Sequence, residues 1–191
     1  MLFDHTGGRK YVTAAERRSF MDAARDAGGD TGTFALTLAY SGARISEVLE
    51  LTSKRIDFAS GAVIVRTLKR RRPDSFRIIP VPPDLLAMLD KVHNLRAKQH
   101  DPVELNKRVW SWCRTTAWTR VKVLMRRAGV GGPCAVPKGL RHGFAVEGTS
   151  ERMVPLNVMQ KWLGHARIET TAIYANALGK EERELASRTW L

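Results

Sequence analysis

Two short runs decide the fold class: Ala62-Val63-Ile64-Val65-Arg66 and Phe76-Arg77-Ile78-Ile79-Pro80-Val81. Both are rich in β-branched residues, and the basic, proline-containing stretch Leu68–Ser75 separates them, which predicts two strands joined by a charged hairpin loop. Everything around them carries helical spacing. Upstream, Thr13-Ala14-Ala15-Glu16 has the form of a capping box ahead of a helix that ends near Gly28-Gly29. A second helix is expected over residues 33–41, broken by Gly42, and Ile45, Val48, Leu49 and Leu51 give the spacing of a third. Downstream, Pro82-Pro83 opens a helix over about 83–96. A long one is expected over about 105–128, and others at about 138–149, 155–163, 169–176 and 180–189. The fold class is therefore mainly α with a small antiparallel β-sheet (α+β). Residues 1–12 read as an N-terminal tail or linker.

The 191 residues suit one domain and can bury a sizeable core. The formal charge of +13 is not spread evenly. Residues 1–65 and 142–191 are each neutral, while residues 66–141 hold 18 basic and 5 acidic side chains and so carry the whole excess. A basic band between neutral flanks reads as a binding surface for nucleic acid or an anionic membrane. Cys113 and Cys134 lack zinc or redox spacing, which argues against a disulfide framework. No apolar run reaches the roughly 18 residues of a membrane span, and the first residues carry no signal-peptide pattern. A reducing, cytoplasmic location is the expectation.

Three segments carry chemistry together: Ser41-Gly42-Ala43-Arg44-Ile45-Ser46-Glu47, then Gly139-Leu140-Arg141-His142-Gly143-Phe144-Ala145, then Trp162-Leu163-Gly164-His165 with Tyr174 nine residues beyond the histidine. In this order, with Lys69 on the hairpin between the first two, they resemble the catalytic domain of the tyrosine recombinases, the phage integrase family. The resemblance covers about residues 13–178 and implies the fold of that catalytic domain. It implies that Arg44 and Arg141 clamp a scissile phosphate, that Lys69 protonates the departing 5′-oxygen, that His165 is the second-half histidine and that Tyr174 is the nucleophile. Arg77 matches a recurrent structural arginine. The implied reaction passes through a covalent 3′-phosphotyrosine and uses neither metal, other cofactor nor ATP. The implied partners are double-stranded DNA and, on it, further copies of the chain in a tetramer, with weak association or a monomer away from DNA. A nucleoid-associated location when DNA-bound follows.

The residue chemistry agrees with that assignment. Arginine is always charged and donates in a planar fork, which suits a phosphate gaining charge. A phenol with a pKa of about 10 is a poor nucleophile at neutral pH unless nearby cations favour the phenolate. No carboxylate cluster of two-metal type is present in the sequence. One position departs from the family pattern: Lys138 stands three residues before Arg141, where a histidine is usual. Lysine donates to a phosphate oxygen but does not accept a proton, so Lys138 is read as a phosphate-binding residue. Family members generally carry an N-terminal helical domain, and with 12 residues ahead of Thr13 the chain is read either as a fragment or as a naturally short member.

Each residue has a plainer reading. Arg44 could pair with Glu47, and Arg70, Arg71 and Arg72 could form a solvated loop or touch the DNA backbone. Arg114, Arg120 and Lys122 give the helix at 105–128 a basic, DNA-facing side, while Trp110, Trp112 and Trp118 read as core or interface. His142 reads as a packed, hydrogen-bonded neighbour of Arg141, and His5, His93 and His100 as surface residues. Residues 179–191 form an amphipathic C-terminal helix that packs on its own domain or docks on a neighbouring protomer. Two further functions share these motifs: a relaxing topoisomerase of similar chemistry, and a non-catalytic DNA-binding regulator.

Overall fold

Thr13 starts the first helix as its sequence demands. In the computed structural model, which describes residues 2, 3, 5–68, 75–175 and 190, its hydroxyl accepts from the Glu16 amide while the Glu16 carboxylate accepts from the Thr13 amide at 2.8 Å. This reciprocal cap satisfies two orphan amides and opens α1 (Ala14–Ala27). A glycine pair follows, and α2 (Gly29–Ser41) begins four residues earlier than the apolar spacing suggested. From Gly32 to Ala39 α2 is buried without a break and apolar but for Thr33 and Thr37, so that stretch packs on every side. Gly42 ends it in the left-handed region at φ 59°, and α3 (Ile45–Leu49) turns away from it.

The expected hairpin is present. β2 (Ala62–Arg66) pairs antiparallel with β3 (Phe76–Pro80), with Val63 opposite Ile79 and Val65 opposite Arg77. A two-residue strand that sequence spacing did not signal, β1 (Ile56–Asp57), adds a third strand beside β2. Val63, Val65, Arg77 and Ile79 are buried on one face, while Phe76 and Ile78 stay exposed on the other. Lys69, Arg70, Arg71 and Arg72 lie outside the described residues, as does the expected helix at 180–189.

The helix expected over 83–96 divides at Asn94, whose φ of 54° separates α4 (Pro83–His93) from α5 (Leu95–Gln99). The helix expected over 105–128 needs correction. A 3-10 turn (Glu104–Asn106) and α6 (Arg114–Arg127) form in its place, because Trp110 between them is drawn into the core. Trp110 is fully buried edge-on to Phe34, and its indole N–H donates to Thr33 Oγ1 at 3.3 Å. The Val109 amide donates to Leu51 O at 2.9 Å. His93 is likewise no surface residue. It is buried beside Trp110 and hydrogen-bonded to Thr33 Oγ1.

The last described elements are α7 (Pro137–Val146), a π turn (Glu147–Glu151), α8 (Leu156–Leu163) and α9 (Glu169–Ala175). A small second apolar cluster gathers Leu2, Ala145, Val146, Met159, Leu163 and Tyr174, and Trp162 packs against both it and the main core. The segment read as a tail contributes to both: Leu2 joins the second cluster, Val12 joins the main one, and the Val12 amide donates to Gly139 O. Among the described residues, no helix is long and apolar enough to cross a membrane.

Candidate active site

Glu47 organises the first wall of the site. It is 1% exposed, and its two oxygens accept from Arg44 (2.8 Å to the guanidinium, 2.9 Å to the backbone amide) and from Arg77 (2.6 Å). Burial pushes its carboxyl pKa up, but the Arg77 hydrogen bond and charge, with those of Arg44, bring it below the ordinary value. Arg77 is itself buried and also donates to Trp162 O at 2.7 Å and Thr67 Oγ1 at 2.9 Å. Its role is structural, tying β3 to α3 and to the end of α8. Arg44 thus reaches the site with its position fixed by a carboxylate that is fixed in turn.

Helix α7 supplies the second wall. Two glycines let it approach its neighbours: a Cβ on Gly139 would lie 1.8 Å from Cys134 O, and one on Gly143 would lie 2.3 Å from Val12 O. Arg141, 6% exposed, donates to Gly42 O and Leu163 O at 2.7 Å each and to His165 Nε2 at 2.9 Å. It therefore links the α2–α3 turn to the end of α8. Burial, then repulsion from Arg44, lowers its pKa to about 10, so it stays charged at neutral pH.

Gly164 ends α8 at φ 67°, against the Arg77 side chain, and delivers His165. Arginine only donates, so His165 Nε2 accepts from Arg141 and its Nδ1–H donates to Thr171 Oγ1 at 2.9 Å. The ring is neutral: burial, then Arg141 and Arg44, lowers its pKa to about 4. Tyr174 on α9 lies nearly parallel to that ring, centroids 6.1 Å apart, and is 2% exposed. Burial raises the phenol pKa, and the opposing pull of Arg141 and Arg44 does not reverse it. The expected cation effect is present but smaller than desolvation, so the phenol is protonated.

Arg44, Lys138, Arg141, His142, His165 and Tyr174 line one cleft of about 700 Å³, with Leu68, Arg114 and Trp118 on its rim. Lys138 is exposed there. Arg120 points elsewhere, donating to Thr31 Oγ1 and stacking on Trp112. Lys122 is held by Ala135 O beside Trp118. Two residues gain importance over their sequence reading. Trp118 is 40% exposed at the cleft and not core. His142, read as a packed neighbour of Arg141, hydrogen-bonds through Nδ1 to the Tyr174 hydroxyl at 2.8 Å. The separation of 32 positions hides that contact from any local motif.

Comparison with known proteins gives the family and the fold. Residues 10–181 match the phage integrase family. The chain is 32% identical over 158 residues to tyrosine recombinase XerA of Pyrococcus furiosus, a match covering 80% of this chain and 52% of the relative. The chain thus spans about half the length of that relative. In structure it resembles a XerA recombinase crystal structure, with a TM-score of 0.73, 24% identity, and coverage of 95% of this chain and 65% of the other. It also resembles the catalytic domain of bacteriophage HP1 integrase, with a TM-score of 0.63, 18% identity, and 93% of each chain covered.

Proposed function

The chain belongs to the phage integrase family, and from that premise we propose that it cuts and rejoins DNA as the catalytic domain of a site-specific tyrosine recombinase. The observation that supports this most is the convergence of Arg44, Arg141, His165 and Tyr174, from four separate segments, on a single cleft. In this reading Arg44 and Arg141 hold the scissile phosphate, and Lys138 donates to it from the rim. Preorganised donors of this kind each contribute on the order of 3–4 kcal/mol to the transition state in comparable sites. Tyr174 Oη attacks phosphorus, the bond to the 5′-oxygen breaks, and Lys69 protonates the leaving oxygen. The 3′-phosphotyrosine conserves the bond, and a 5′-hydroxyl from another strand reverses the step. Named relatives that are recombinases favour exchange over relaxation or simple binding.

DNA is the partner in this reading, and the basic band of residues 66–141 is its footprint. Arg114 at the cleft rim contacts the backbone, and Arg70, Arg71 and Arg72 are assigned to backbone contact from the sequence alone. Arg120 and Lys122 are secondary, since each already has a protein partner. Residues 13–178 form the catalytic unit, and residues 179–191 dock on a neighbouring protomer in a tetramer assembled on DNA. The test is incubation of the protein with a pool of nicked duplexes randomised around the nick, followed by denaturing electrophoresis. A covalent protein–DNA adduct with the wild type and none with Y174F is expected. No adduct with either overturns the reading.

A further inference from the structure

A tyrosine must lose its proton as it attacks phosphorus, so some group in the cleft must take it. Lys138 carries three donors and no acceptor in its charged form. His165 has both ring nitrogens engaged, Nε2 by Arg141 and Nδ1 by Thr171. The Tyr174 hydroxyl instead meets His142 Nδ1 at 2.8 Å. A phenol is the stronger donor of this pair and an imidazole nitrogen the stronger acceptor, so the O–H is directed at Nδ1. His142 is half-buried and lines the same cleft.

We propose that His142 is a catalytic residue, the acceptor of the Tyr174 proton during strand cleavage. This rests on the recombinase reading above. In the step, the Oη–H bond of Tyr174 breaks as its electron pair forms the Oη–P bond. The proton passes to His142 Nδ1, and the P–O5′ bond breaks with its electrons on the leaving oxygen. In the rejoining step His142 returns the proton to the departing phenolate. In the free protein the ring is neutral, its pKa lowered to about 4 by burial and then by Lys138 and Arg141, which leaves the lone pair available. A DNA phosphate between Arg44 and Arg141 offsets those cations and strengthens the base as the substrate arrives.

The test uses a nicked duplex recovered from the adduct pool and the rate of adduct formation. H142N places an amide oxygen near the Nδ1 position, which keeps an acceptor but cannot hold a proton. It is expected to slow adduct formation by about 100-fold or more with DNA binding within about twofold of wild type. The deficit is expected to persist on a duplex with sulfur in place of the bridging 5′-oxygen, because that leaving group needs no proton and the defect lies on the nucleophile. Cleavage by H142N within threefold of wild type, or a deficit that vanishes with sulfur, overturns the proposal and leaves the recombinase reading standing. Absence of any wild-type adduct overturns both. If H142N melts below wild type, H142A with added imidazole replaces it, where a restored rate supports the proposal and an unrestored one overturns it.

Discussion

Replacing Glu47 with glutamine leaves the shape of the side chain and removes one charge, which isolates what that charge does. The carboxylate is buried and answers two arginines, of which Arg77 is buried as well. Removing one partner of a buried pair costs about 3–5 kcal/mol, because the other charge stays behind in low dielectric. Arg77 keeps its bonds to Trp162 O and Thr67 Oγ1, so the low end, about 3 kcal/mol, is expected. For a domain of this size that lowers Tm by about 6–12 °C. The comparison E47Q/R77M removes the stranded charge and should recover more than half of the loss. Acid gives a second signature. The Glu47 pKa is depressed in the folded state, so its stabilisation is complete above the ordinary carboxylate pKa and is lost as pH falls through the folded value. The gap between wild type and E47Q should therefore close in strong acid. Thermal and urea melts measure all three quantities. An E47Q loss below about 1 kcal/mol, or a double variant as damaged as the sum of the singles, refutes the pairing argument.

Other expectations follow from the same geometry. His142 and His165 have folded pKa values of about 4, below the ordinary value near 6.5. Their neutral forms stabilise the fold above that value, and the contribution drains away between about pH 6.5 and 4. Urea midpoints should fall across that window, and less steeply in H165N. G139A drives a methyl into Cys134 O and should cost about 3 kcal/mol or more, whereas G131A meets nothing within 4 Å and should stay within about 0.5 kcal/mol, both read by thermal melts. R141K cannot reproduce the three directed bonds to Gly42, Leu163 and His165. Adduct formation should drop by about 100- to 1,000-fold.

The sequence made visible what depends on local pattern. The cap at Thr13, the strand pair and the glycine ends of α2 and α8 follow from residues within a few positions of one another. Arg44, Arg141, His165 and Tyr174 were legible because their motifs are local, even though the cleft that unites them is not. What stayed hidden depends on long-range packing. The start of α6 shifts because Trp110 finds a buried place beside Phe34 and Thr33. His93 is buried by the same cluster. The Glu47–Arg77 pair and the His142–Tyr174 contact cross 30 and 32 residues, and no periodicity marks either. Lys69, the residue assigned to the leaving group, rests on resemblance and lies outside the described residues.

The proposed bond between Tyr174 Oη and DNA is tested by mass spectrometry of the digested adduct. After nuclease and protease treatment, a single modified peptide containing Tyr174 is expected, its phenol oxygen esterified to the 3′-phosphate of a nucleotide. A nucleotide on Tyr11, Tyr40 or any other side chain, or one joined through its 5′-phosphate, would contradict it.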